Sequence, residues 1–267
     1  MNSKNSNPPV NKREKKLLKR HASPAAKRDL GPPWRVILNV LLIFVLSQAI
    51  ALFLVEFVAV MFHAQPDNLD SSNIEQFFYV LIAEGLAAYS VVYIVRRRKL
   101  SFSSVGLGRK PIWRDLFKAG LGFLAYYLLL TVVSIIVVQI FPNYDKGSQD
   151  VGFNTLNTLL DSILAFCALV VFPPIGEEIL VRGYLYGGLR QKLKFVPAML
   201  ITSLLFGAAH LFTGDSGLLW GAALNTFVLS IVLVYLRENT GALYAGMLVH
   251  GLNNAIAFGF HFHALMF

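Results

Sequence analysis

Apolar residues fill this chain in seven long blocks with short polar breaks between them, at roughly 35–62, 77–95, 117–141, 158–174, 196–212, 218–236 and 242–262. Blocks of this kind match the ~20 residues that carry a helix across the hydrocarbon layer at about 1.5 Å per residue. The pattern predicts an all-α fold, a polytopic transmembrane helical bundle of about seven membrane segments, with no internal repeat. The fourth block contains Pro173-Pro174. Proline lacks an amide hydrogen and restricts the residue before it, so this segment is predicted to break into helices of about 158–172 and 175–192.

Composition supports the membrane assignment. Hydrophobic residues make up 55% of 267 positions, and the mean hydropathy is +0.57. A water-soluble domain has no use for that much apolar surface, so the excess faces lipid. Charge is concentrated at the start, where residues 1–33 hold nine Lys/Arg against Glu14 and Asp29. This stretch is read as a disordered basic cytoplasmic tail held near anionic headgroups, not as a nucleic-acid binder. Residues 34–267 form the membrane domain. Its first helix is predicted to be retained, because the basic region is too long for a signal peptide. Cys167 has no intrachain partner and is read as packing.

Basic residues orient the helices. Arg96, Arg97, Arg98, Lys99, Arg109, Lys110 and Arg114 follow the second block, and Arg190, Lys192, Lys194 and Arg237 mark later breaks. Asp67, Asp70, Glu75, Asp145, Asp150 and Asp215 occupy the alternate loops. The expected topology has a cytoplasmic N-terminus, in the plasma membrane of a prokaryote, with His261 and His263 near the outer end.

Directly after the two prolines stand Glu177 and Glu178, with Arg182 one turn on. Charges at membrane depth are costly unless paired, so this cluster is a functional candidate. Glu178 and Arg182, at i,i+4, can form an ion pair, while Glu177 projects about 100° away and is left for another partner. Two further polar positions lie in apolar helices: His210, four residues after Phe206, and His250, four residues before Asn254. Spacing puts His250 and Asn254 on one face and Asn253 on another.

Counting along the helices places Glu177 about 20 Å from Arg190 and His210 about 24 Å from Lys194. The same count puts His250 about 12 Å from the outer side, near Ala242, so all three fall near mid-depth. An unbroken fourth helix is expected to leave the two glutamates near the inner surface. A carboxylate and an imidazole around one water can activate it, and a second imidazole with a carboxamide can donate to an oxyanion. Two imidazoles and a carboxylate can equally hold zinc or another divalent metal, with Glu177, His210 and His250 as ligands, although nothing in the spacing demands an ion.

Together Glu177-Glu178-x-x-x-Arg182, Phe206-x-x-x-His210 and His250-x-x-x-Asn254 resemble the three ordered motifs of the CAAX protease and bacteriocin-processing (CPBP, or Abi) family of intramembrane proteases. The resemblance covers about residues 155–260, and Gly106-Leu107-Gly108 resembles a weaker family feature. It implies an endopeptidase in which Glu177 and His210 activate water, His250 and Asn254 stabilise the oxyanion, and Glu178 and Arg182 orient the site. Family descriptions include both metal-dependent and glutamate-dependent enzymes, so the cofactor is a divalent metal or none. The implied partners are membrane lipid and a peptide or protein substrate, prenylated or bacteriocin-like. A non-catalytic scaffold or self-immunity protein is the alternative. A transporter, which also uses broken helices and buried carboxylates, is weakened by the lack of an inverted repeat. Outside the motifs, Glu84 is read as an interfacial, cavity-facing or helix-bridging group, and Gly183 with Gly187 as a site of close helix packing.

Overall fold

A computed structural model describes residues 29–61, 73–142, 151–153, 155–212 and 218–263. They form seven helices: α1 (Pro33–Met61), α2 (Asn73–Arg97), α3 (Trp113–Ile140), α4 (Leu159–Arg190), α5 (Phe195–Ala209), α6 (Trp220–Thr240) and α7 (Tyr244–His263). Short 3-10 turns occupy Phe102–Val105 and His210–Phe212, and there is no strand among the described residues. Lipid offers no hydrogen bonds to the backbone, so a helix that satisfies its own amides is the form such apolar runs must take. Five of the helices, α1 to α4 and α6, are long and apolar enough to cross a membrane, and the chain is an integral membrane protein. The predicted count of seven segments therefore holds for helices and falls to five by length and apolarity. Helix α5 has only 15 residues, and α7 gives one stripe to imidazoles and amides.

Small residues mark the contact faces. Ala83, Ala87, Val91 and Val95 form a buried stripe on α2, and Asp115, Ala119, Gly122 and Tyr126 do so on α3. Helix α1 packs on α2, α2 on the middle of α4, α5 on α6, and α3 on both α6 and α7. Small side chains let helix backbones approach closely where no water-driven force assembles them. Gly183 and Gly187 serve such an approach, but to a turn instead of a helix. A Cβ on either would lie 2.9 Å from the Val105 carbonyl oxygen or 2.8 Å from that of Ser104. The 3-10 turn thus rests on bare α4 backbone.

The basic loops gather at one end of the bundle. Arg190 pairs with Glu238 at 2.9 Å, Arg109 grips Asp115 with two bonds of 2.6 and 2.7 Å, and Lys192 meets Asp29 at 2.5 Å. Leu30 is fully buried there, and its amide donates to Gln191. Order in the stretch read as a tail therefore begins by residue 29. Residues 1–28, Asp67, Asp70, Asp145, Lys146, Asp150, Asp215 and the side chain of His263 lie outside the described residues.

Two expectations are overturned. Helix α4 does not break at Pro173-Pro174 but runs from Leu159 to Arg190, widening into π-helix at Cys167–Val171 and again at Glu178–Leu185. In the first widened turn the Phe172 amide reaches back five residues to Cys167, so the backbone passes the prolines without a stop. The loop before α7 also lies at the basic end, since the Leu243 amide donates to the Gly106 carbonyl and the Tyr244 hydroxyl to that of Arg109. His250 is therefore about 9 Å along α7 from the basic end, counted from Tyr244. It still meets both glutamates, at 3.3 Å from Glu178 and 3.7 Å from Glu177.

Candidate active site

The site begins with a geometric problem in α4. The Leu169 carbonyl would accept from residue 173 in an α-turn or from residue 174 in a π-turn, and both are prolines without a hydrogen to give. Asn254 on α7 supplies the missing donor, its Nδ2 lying 3.0 Å from the Leu169 oxygen. An unpaired carbonyl in an apolar setting costs about 1–3 kcal/mol, so this one bond ties α7 to α4 just above the glutamates. The helix-bridging role thus belongs to Asn254 as well as any role toward substrate.

One turn beyond, Glu178 and Arg182 are buried to 1% and 0% exposure and pair at 2.8 Å. The guanidinium also lies over the Phe206 ring, 4.2 Å from its centre, a cation–π contact that partly replaces lost hydration. Phe206, the first residue of the second motif, thereby supports the cation of the first. The other Glu178 oxygen points to Gly246, where a Cβ would come within 2.9 Å of it.

His250 is the junction. Its Nδ1 lies 3.3 Å from Glu178 Oε1, and its Nε2 lies 3.7 Å from Glu177 Oε2. The ring is therefore shared by both carboxylates, although their adjacency in sequence sends them to different faces of α4. Glu178, already held by Arg182, fixes one edge of the ring, and the other edge turns to Glu177, which is a quarter exposed. Glu177 thus finds the partner its direction left open.

A cavity of about 370 Å³ opens on these groups. Glu177, His210, His250 and Asn254 all line it, so the predicted acid, both imidazoles and the carboxamide share one space. His210, at the end of α5, has its Nδ1 2.9 Å from the Phe206 carbonyl. Glu178 and Arg182 do not line the cavity and support it from behind. A smaller apolar cavity of about 90 Å³, on the side of α1 and α2, is lined by Glu84 together with Glu177 and His210. Of the three readings of Glu84, the cavity-facing one is the one the structure gives.

Among the described residues no three His, Cys, Asp or Glu side chains are set to hold an ion, and Glu178 Oε1 is already taken by Arg182.

Residues 159–256 match a family model described as type II CAAX prenyl endopeptidase Rce1-like. The match contains all three motifs and bears out the resemblance drawn from them. Uncharacterized protein YyaK of Bacillus subtilis (strain 168) is 29% identical over 150 residues, covering 54% of this chain and 47% of that protein. The chain thus spans about half the length of this curated relative. No solved structure matches.

Some groups at this site escaped the motif reading. Asn225 and Thr226 on α6, and Asn253 on α7, also line the large cavity, so Asn253 shares a wall with Asn254. The Tyr126 hydroxyl donates to Asn225 Oδ1, and that of Tyr127 reaches Asn253 Oδ1 at 3.4 Å. The available signal was an amide inside an apolar helix, with Ala222, Asn225, Thr226 and Leu229 at helical spacing.

Proposed function

We propose that this protein is a CAAX-type intramembrane endopeptidase that cuts a prenylated peptide with a water held by Glu177. The observation that carries this reading is His250 seated between Glu177 and Glu178 at the wall of a cavity that also holds His210 and Asn254. Glu177 takes a proton from water as the water oxygen bonds to the scissile carbonyl carbon, and His210 orients that water. The carbonyl oxygen becomes an oxyanion. A proton on each ring nitrogen of His250 satisfies Glu178 on one side and leaves an Nε2–H for the oxyanion on the other, with the second Asn254 amide hydrogen beside it. Collapse breaks the C–N bond, and the proton on Glu177 passes to the leaving amine. Glu178 and Arg182 hold His250 in place and touch no reacting atom. The N-terminus is cytoplasmic in this reading, and the membrane is a prokaryotic plasma membrane.

The test uses protein purified in detergent and a farnesylated CAAX peptide, followed by mass spectrometry with and without chelator. Wild type releases the C-terminal fragment, whereas Glu177→Ala, His210→Ala and His250→Ala each lose about 100-fold or more of kcat/KM, as removal of a general base or an oxyanion donor does. Cleavage that survives in all three variants overturns the mechanism. Loss of wild-type cleavage on chelation would transfer the activating role to a metal. Binding without cleavage by wild type would favour a scaffold.

A further inference from the structure

The cavity wall opposite in sequence to the motifs carries more hydrogen-bonding groups than the hydrolytic mechanism uses. On α6, Ala222, Asn225, Thr226 and Leu229 form the stripe that faces it. Thr226 has its hydroxyl turned back to its own helix, donating to the Ala222 carbonyl at 2.8 Å. Asn254 gives an amide hydrogen to Leu169, and Asn253 Nδ2 lies 3.5 Å from Asn254 Oδ1. Asn225 differs from the others. Its Oδ1 accepts from the hydroxyl of Tyr126, a side chain with no exposure, and among the described residues nothing accepts from its Nδ2.

That asymmetry has a chemical meaning. A tyrosine hydroxyl has one proton, and giving it to the amide oxygen fixes which end of the Asn225 amide is which. The oxygen is turned to α3 and the two N–H donors are left on the cavity side. A residue serving only to bridge α3 and α6 would need no more than the Tyr126 bond, yet two donors remain at the wall of the chamber that also holds Glu177 and His250. Such donors call for an acceptor oxygen that carries no hydrogen, and a peptide main chain offers one at every residue.

Resting on the peptidase reading above, we propose that Asn225, locked by Tyr126, is a substrate-binding residue that donates to a carbonyl or carboxylate oxygen of the peptide in the cavity shared by Glu177 and His250. Because it reads the main chain, this contact positions substrates of different side-chain sequence alike. Tyr126 acts through Asn225 and is a positioning residue.

The test measures KM and kcat for a farnesylated CAAX peptide, and its Kd for the Glu177→Gln protein by fluorescence anisotropy. Each is measured with Asn225→Ala, Asn225→Asp and Tyr126→Phe. Asn225→Asp keeps shape and the Tyr126 partner but removes both donors. We expect Asn225→Ala and Asn225→Asp to raise KM and Kd about five- to tenfold, the worth of one hydrogen bond of about 1–1.4 kcal/mol, with a smaller loss in kcat. Tyr126→Phe, which frees the amide to turn, raises them about two- to threefold. A C-terminally amidated peptide locates the oxygen: an unchanged effect assigns a main-chain carbonyl, and a vanished one assigns the terminal carboxylate. Normal cleavage by wild type with unaltered KM and Kd in the Asn225 variants overturns this inference and leaves the peptidase standing. Peptide binding that is weakened by these variants, without any wild-type cleavage, would do the reverse. Absence of both binding and cleavage removes both. Loss of thermal stability and kcat together at unchanged KM would assign Asn225 a structural role only.

Discussion

Helix α1 and the Glu178–Leu185 stretch of α4 are both runs of apolar sequence in one membrane protein, and they are built on opposite terms. Along its 29 residues α1 buries one stripe, at Val36, Val40, Ser47, Ala51, Val55 and Ala59, while Phe53, Val60 and Met61 stand more than half exposed to the lipid side. All eight residues from Glu178 to Leu185 are buried, and two of them are charged. A helix with one packed face can keep ideal geometry, because lipid accepts whatever the other face presents. A helix packed on every side must instead adapt its backbone to its neighbours, and here it widens to π form. The difference teaches where function can sit: an ion pair with no water near it survives only where surrounding helices supply its partners.

The hardest blow to this contrast is Arg182→Ala. It removes the ion-pair partner of a fully buried Glu178 and leaves that carboxylate with His250 alone, and we expect a loss of about 3–5 kcal/mol in unfolding free energy in detergent, with cleavage abolished. The control is Phe53→Leu on α1, which we expect to change stability by no more than about 0.5 kcal/mol. Equal effects would erase the distinction between the two regions.

Gly246→Ala and Asn254→Ala come next. The new methyl at 246 lies 2.9 Å from a Glu178 oxygen whose carboxylate is fixed by Arg182, so it cannot give way easily. Overpacking of this kind costs about 1–3 kcal/mol, and we expect a lowered Tm and displaced His250. Asn254→Ala strips the Leu169 carbonyl of its donor at the proline pair, with a penalty of about 1–3 kcal/mol. A thermal unfolding series separates these from a purely catalytic loss, which would leave Tm untouched.

The smallest effect is expected at the basic end. Lys192 beside Asp29 holds that carboxyl below its ordinary value of 3.8. A group with a lowered folded pKa adds stability above the unfolded value and loses it as pH falls through the folded one. The pair is partly exposed and worth at most ~1 kcal/mol. Lys192→Ala should therefore lower stability slightly at pH 7 and not at all below the folded pKa of Asp29, as pH-dependent unfolding would show.

Much of the fold was legible because each block of apolar residues reports a local fact, that about 20 residues must satisfy their own amides in lipid. All seven predicted segments correspond to helices. The proline pair misled because its cost was reckoned within one helix. The Leu169 carbonyl it orphans is satisfied from 85 residues away, a partner that no local rule contains. The three motifs named acid, imidazole and amide groups, of which Glu177, His210, His250 and Asn254 line one cavity, and their order along the chain carried the family resemblance.

What the chain alone determined was the helical class, the apolar spans and the chemical identity of the groups placed among them, since these depend on composition and on spacing within a few turns. What only the tertiary structure decided was who meets whom: His250 between two glutamates 72 and 73 positions earlier, Phe206 beneath Arg182, and Tyr126 holding Asn225. Those pairings depend on helix tilt and on which loop lies at the basic end. Such quantities are set by packing between helices, and packing is a property of surfaces that come together only once the chain is folded.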